Sequence, residues 1–245
     1  MPTRSEFAAA VRPFAPGGHI PQSAILALDA LADALGLPRG GQAPERLGAL
    51  SERYESGGRG PGTVSSGAGD PGGVSYGLYQ LSSNAGTARA FVANEGRHWA
   101  ALLPGAPGSA RFSAGWRDVA EREPEAFAEA QHAFIERTHY RPAVEGVKMR
   151  SGVDLDARGA AVRDVVWSVA VQHGKAVDVL LDGLARAGTG ASDADLIREI
   201  YAARSAYVEG VAYRQSGANR KTLLSIVQNR YPDELRRALA MAGAA

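Results

Sequence analysis

The chain has 245 residues, of which 45% are hydrophobic and 22% charged, with a formal net charge of +1 at pH 7. Such usage fits a soluble globular body with a full core and excludes a collagen-like or wholly disordered chain, while the balanced charge offers no electrostatic footprint for nucleic acid. The absence of cysteine excludes a disulfide framework, a thiolate metal site and a thiol nucleophile.

No apolar run of signal-peptide length precedes Pro13 and no later run approaches a membrane span, so membrane insertion is not expected. Pro13, Pro16, Gly17 and Gly18 break the chain ahead of an amphipathic helix in which Ile25, Leu26, Leu28, Leu31, Ala32 and Leu35 recur at helical spacing. A second break runs from Pro38 to Gly41. These residues divide the chain into an N-terminal extension, 1–40, and a main domain, 41–245.

Pro44 suits the first turn of a helix carrying Leu47, Leu50 and Tyr54 and stopped by Gly57-Gly58. Glycine is then so dense up to Gly77 that only turns and short strands fit, with Thr63-Val64-Ser65 and Val74-Ser75-Tyr76 able to pair as a ribbon. Ser83-Asn84 reads as an N-cap pair before a helix over 85–95. From Pro124 onward the pattern is mostly helical, with breaks predicted near Gly152, Gly174, Gly188 to Gly190 and Gly217. The expected fold class is mainly α, with a small β-hairpin.

Cleavage of a glycosidic bond needs a protonated carboxyl at the leaving oxygen and commonly a second, ionised carboxylate. Glu55 lies in the last turn of the 44–57 helix, at the edge of the stripe formed by Leu47, Leu50 and Tyr54, where partial desolvation favours the neutral acid. Asp70 follows in the turn Gly69-Asp70-Pro71-Gly72. It can swing toward Glu55 across a cleft and hold a water, or bond only its own turn backbone. Tyr76-Gly77-Leu78-Tyr79-Gln80 supplies a polar tip, a close backbone approach and an amide, components that orient sugar hydroxyls.

Glu55-Ser56-Gly57-Gly58 followed by Tyr76-Gly77-Leu78-Tyr79-Gln80 resembles the signature of soluble lytic transglycosylases and goose-type lysozymes, with Tyr79 in place of Met. The resemblance is carried by residues 50 to 85. It implies a helical lysozyme fold with a small β element beside the cleft, and a muramidase that cleaves the N-acetylmuramic acid to N-acetylglucosamine β-1,4 bond with inversion. In that reading Glu55 is the general acid and Asp70 the base that positions water. Ser56, Tyr76, Gly77, Tyr79 and Gln80 become cleft contacts. Gln172 and His173, in a segment similar to a later family motif, and Tyr201 and Tyr207, similar to a late family tyrosine, join the substrate-binding set.

No cofactor or metal is implied. Implied partners are peptidoglycan glycan strands and an immunity protein or a phage or secretion-machine component. Without a leader, action at the wall requires delivery through a lysis pore, on a phage particle or by a contractile secretion machine. Ser82 and Ser83 stand where the goose-type pattern carries a further acidic residue, which leaves a lytic transglycosylase open, because there the substrate's own hydroxyl attacks. A chitosanase-like glycosidase and an inactive glycan-binding protein of the same fold are the remaining readings.

Competing motifs are weaker. Gly73-Val74-Ser75-Tyr76-Gly77 matches a nucleophile elbow, which works only in a parallel α/β sheet. Gly67-Ala68-Gly69-Asp70-Pro71-Gly72 matches a dinucleotide loop, but Asp70 and Pro71 place a negative charge and a missing N–H where a pyrophosphate needs donors. His132 and His139 lack a compact metal-ligand spacing. Trp167, set among valines, is expected in the core.

Overall fold

The computed structural model describes residues 47–48, 50, 60–67 and 72–243. Two compact units divide the chain at Leu47/Gly48, and apart from Leu47 the described residues belong to the second. The first forty residues, and the amphipathic helix expected there, lie outside the described residues.

The fold is mainly α with one small antiparallel ribbon, as the sequence predicts. Strand β1 (Ser75–Tyr76) pairs with β2 (Leu81–Ser82) in the register Ser75↔Ser82 and Tyr76↔Leu81. The expected partner of β1 is also present, as an antiparallel bridge between Val64 and Tyr76, with Ser65 N donating to Ser75 O at 2.9 Å and Gly77 N to Thr63 O at 2.7 Å. Ser75 therefore sits in an antiparallel ribbon, not in the strand-turn-helix elbow of a serine hydrolase.

The helices follow in order: α1 (Thr87–Ala93), a 3₁₀ turn (Arg97–Leu102), α2 (Ala110–Arg122), α3 (Pro124–Ile135), α4 (Arg141–Ser151), α5 (Ala160–Gln172), α6 (Ala176–Ala187), α7 (Asp193–Tyr213), α8 (Gly217–Ser225) and α9 (Tyr231–Met241). Ser83-Asn84 does not cap α1. The cap residue is Gly86, without a side-chain bond, because Ser82 and Thr87 already serve the turn: Ser82 Oγ accepts from Ala85 N at 3.0 Å and Thr87 Oγ1 from Ser82 N at 2.7 Å. The break near Gly217 opens α8 instead of closing α7, which ends at Tyr213.

Two π-helical turns, Glu136–Tyr140 and Ile226–Arg230, join α3 to α4 and α8 to α9. Each is followed by a proline one residue into the next helix, Pro142 and Pro232. Proline has no N–H to donate and its ring clashes with the carbonyl four residues back, here in Thr138 and Gln228, so the widened turn lets each helix continue.

Helix α5 is the central element. Val162, Val165, Val166, Trp167 and Val169 are all fully buried, as the valine pattern predicts. An aromatic core lies under the ribbon, where Tyr76, Phe91, Phe112, Trp116 and Phe127 pack at ring separations of 4.7 to 5.7 Å among their closest pairs. Trp99 and Trp116, like Trp167, are buried and unavailable for stacking on a sugar.

Candidate functional site

Glu55, Ser56 and Asp70 lie outside the described residues, but described residues on either side of them are held by polar groups, buried ones around Glu55 and part-buried ones around Asp70. Ahead of Glu55, the buried Asp164 carboxylate of α5 accepts from the backbone N–H of Gly48 and, at 2.7 Å, from that of Leu50. Gly48 is required there. Its φ is +99°, and a Cβ would stand 2.7 Å from Trp167 Nε1. Beyond Glu55, the Pro61 carbonyl accepts from Trp116 Nε1 at 2.8 Å and Gln131 Nε2 at 3.0 Å.

Asp70 is bracketed in the same manner. Ser75 N donates to Ser65 Oγ at 2.8 Å on its N-terminal side. On the other side, the Gly72 carbonyl accepts from Ser82 Oγ at 2.5 Å and Asn84 N at 3.1 Å. Ser82 and Ser83, where the goose-type pattern has an acid, thus serve the backbone of this turn.

The turn between β1 and β2 carries the motif residues. Gln131 is fully buried, and its Oε1 accepts from Leu78 N at 2.9 Å while its amide nitrogen holds Pro61. Gly77, at φ +71°, leaves room for it; a Cβ would fall 2.1 Å from Gln131 Oε1. Among the described residues Gln80 is the one non-glycine with positive φ, +53°, a conformation that costs on the order of 1 kcal/mol and concentrates at functional sites. Its Nε2 donates to Gly77 O at 3.0 Å. Tyr79 Oη meets His132 Nδ1 at 2.8 Å, and the His132 ring stacks on Trp167 at 4.4 Å and 13°. His132 thus orients Tyr79.

Tyr79 and Gln80 line a cavity of about 200 Å³ with Val171 and Gln172 from the end of α5 and Arg230 from the second π-turn. Three of the expected substrate contacts, Tyr79, Gln80 and Gln172, therefore meet at one place. Others do not. Tyr76 is fully buried, its hydroxyl paired with Ser113 Oγ at 2.9 Å and accepting from Gly108 N at 2.8 Å; it anchors the ribbon and has no surface for a glycan. Tyr201 is likewise interior and donates to Glu234 Oε2 at 3.0 Å. Tyr207 is half-buried with its ring edge-on to His173 at 5.3 Å.

Behind the cavity lies a buried ionic network. Arg204 Nη1 donates to Glu234 Oε2 at 2.9 Å with neither side chain exposed, and Arg230 Nε donates to Glu234 Oε1 at 2.5 Å. Ser168 Oγ also reaches Oε2, at 3.1 Å. Arg204 Nη2 donates to Ser168 Oγ at 2.9 Å and to Gln172 Oε1, and its Nε to His173 Nε2 at 3.2 Å. The guanidinium lies 4.4 Å from the Tyr231 ring centroid.

Burial, then the Arg204 and Arg230 charges, depress the His173 pKa to about 3. With Nε2 accepting, the neutral ring carries its proton on Nδ1. Burial raises the Tyr201 pKa, keeping its hydroxyl a donor to Glu234.

The residues missed from sequence are those acting through others: Asp164, Gln131, His132, Arg204, Glu234 and Arg230. One signal was present. Ile197, Tyr201, Arg204 and Val208 form a single helical stripe, and an arginine on a buried stripe requires an anionic partner.

A family model for the type VI secretion system spike protein VgrG3-like C-terminal region matches residues 47–234. The chain belongs to this VgrG3-like family. It is 40% identical over 139 residues to the type VI secretion system spike protein VgrG3 of Vibrio cholerae serotype O1, an alignment covering 56% of this chain and 13% of that protein. The chain therefore matches only a small part of the length of that relative.

This membership corrects the resemblance to goose-type lysozymes and soluble lytic transglycosylases. That resemblance rested on a few residues between 50 and 85, whereas the VgrG3-like match takes in that stretch and every described helix up to the start of α9. Glu55, Asp70, the cavity residues and the Arg204–Glu234 pair all fall inside the VgrG3-like segment. Among the described residues no helix is long and apolar enough to cross a membrane.

Proposed function

We propose that this VgrG3-like domain is an antibacterial cell-wall hydrolase delivered with a type VI secretion spike, and that it cleaves the β-1,4 bond between N-acetylmuramic acid and N-acetylglucosamine. Glu55 protonates the leaving oxygen. Asp70 activates a water on the opposite face of the sugar, giving inversion. Tyr79, Gln80 and Gln172 orient the sugar, and the catalysis uses no cofactor.

The observation that carries this reading is the meeting of Tyr79, Gln80 and Gln172 at one cavity, with Gln80 held in a strained backbone conformation. The brackets support it further, since the buried Asp164 and Gln131 and the part-buried Ser82 spend their bonding capacity on the chain flanking Glu55 and Asp70. Such support is what a catalytic constellation on loops needs to hold its geometry. The name of the Vibrio cholerae relative supports the delivery route.

Mass spectrometry of digested peptidoglycan tests the reaction. Reducing muramic ends are expected. Products ending in 1,6-anhydro sugars would replace water attack by intramolecular attack, and intact sacculi after prolonged incubation would overturn the hydrolase.

A further inference from the structure

Arg230 lines a second, larger depression. A groove of about 590 Å³ is lined, among the described residues, by Lys221, Thr222, Ser225, Ile226, Asn229 and Arg230. Its volume lies within the roughly 300–1,000 Å³ of small-ligand sites. It adjoins the smaller cavity at the Arg230 side chain, common to both linings.

The chemistry of this groove is specific. Its described lining holds two cations and no acid. Lys221 makes no ion pair among the described residues, unlike Arg236 and Arg237, both of which pair with Asp233. Asn229 Nδ2 donates to Ser225 O at 3.0 Å and Ser225 Oγ at 3.1 Å, which leaves the Asn229 carbonyl oxygen as an acceptor and the Ser225 hydroxyl as a donor. Ile226 gives a flat apolar contact. Cation, hydroxyl, amide and apolar surface together match a sugar that carries hydroxyls and a carboxylate.

The backbone supports the same assignment. Helix α8 exposes nearly all its residues, yet it ends in the π-turn whose last residue, Arg230, reaches back to Glu234. The turn sets Ser225, Ile226 and Asn229 on the groove wall next to the cavity.

Resting on the reading under Proposed function, we infer that the groove along α8 and its π-turn binds a carboxylate-bearing muramyl residue of the glycan strand, beside the unit held by Tyr79, Gln80 and Gln172. The carboxylate belongs to the stem peptide, because the lactyl carboxyl of an intact muramyl residue is taken up in the amide that attaches the stem. Lys221 meets it, while Arg230 keeps its bond to Glu234.

The test uses the full chain with Glu55→Gln for binding, so that the wall is not digested, and the unsubstituted chain for cleavage. Sedimentation with purified Gram-negative sacculi is measured for Lys221→Glu and Lys221→Arg, both at an exposed position and both checked for unchanged melting. Lys221→Glu is expected to weaken binding about fivefold, the scale of one exposed charge contact. Lys221→Arg should retain it, and the difference should shrink with salt.

On sacculi whose carboxylates have been converted to amides, Lys221→Glu and its parent should bind alike. On amidase-stripped sacculi, which lose the stem and gain a free lactyl carboxylate, a vanished difference assigns the stem carboxylate and a persisting one shows that the groove accepts the newly freed lactyl group as well. Equal binding of Lys221→Glu and its parent to untreated sacculi overturns the groove, as does an undiminished difference on amidated sacculi. If the unsubstituted chain cleaves sacculi and the groove variants bind normally, only the groove falls; if it cleaves nothing, the hydrolase falls and the binding arm alone decides the groove.

Discussion

Arg204 and Glu234 form an ion pair at 2.9 Å in which neither side chain is exposed, and the same carboxylate holds Arg230 at the wall of the candidate site. A charge pair so enclosed is stable only while each atom keeps its partners. The site and the core of the helical bundle therefore share one carboxylate. Glu234→Gln should destabilise the domain by about 3–5 kcal/mol, seen as a lower urea midpoint. Arg230→Met, at a partly exposed position, should cost much less stability while lowering wall cleavage. Equal losses of stability in the two variants would assign Arg230 a purely structural role.

Glu55→Gln is expected to fold normally and to lose about 10²- to 10⁴-fold in wall cleavage, the range for removing a positioned general acid. Asp70→Asn should be comparably impaired if water is the nucleophile and nearly active if a sugar hydroxyl attacks. Turbidity loss of sacculi, read beside thermal melting of each variant, checks both.

His173 gives a pH dependence of known sign. Its folded pKa of about 3 lies below the ordinary histidine value, through burial and the Arg204 and Arg230 charges, so the unfolded chain takes up a proton first as pH falls. The stability tied to neutral His173 is complete above about pH 6.5 and declines progressively toward about pH 3. In His173→Gln this part of the acid sensitivity should disappear. Melting temperatures between pH 7 and pH 4 should show a smaller drop for the variant than for the parent.

Gln80 poses a trade between stability and activity. Its φ of +53° costs a non-glycine residue on the order of 1 kcal/mol, so Gln80→Gly relieves strain and should leave melting unchanged or raised. Cleavage should fall, because the amide at the cavity is lost. Undiminished activity in a stable Gln80→Gly variant would remove Gln80 from the substrate contacts.

Gly77→Ala tests the bracket. The new methyl would fall 2.1 Å from Gln131 Oε1 at a positive φ, forcing Gln131 from both Leu78 N and Pro61 O. Loss of two hydrogen bonds by the fully buried Gln131 amide places the expected cost at about 2–4 kcal/mol, measurable by denaturant titration.

Much was legible in the amino acids themselves. Glycine density over 57–77 excludes a helix there, and the alternation in Val74-Ser75-Tyr76 yields one strand of the observed ribbon. Its pairing with Leu81–Ser82 was not foreseen, because both segments are only two residues long. Valines at helical spacing identify α5, and the Tyr79-Gln80 motif locates one wall of the cavity. These are local properties, set by backbone sterics and by the period at which apolar side chains recur.

On the other wall Gln172 was among the expected contacts, but Arg230 was decided by tertiary structure alone. Gln172 and Arg230 reach the cavity because α5 is the buried center and because Pro232 forces a π-turn that ends at Arg230. The direction of each polar side chain was likewise settled in three dimensions: Tyr76 and Tyr201 turn inward to buried partners, while Tyr79 is held at the cavity by His132. A buried hydroxyl or charge goes where a partner distant in the chain can satisfy it, and desolvation makes that requirement stronger than any preference of the segment in which it sits.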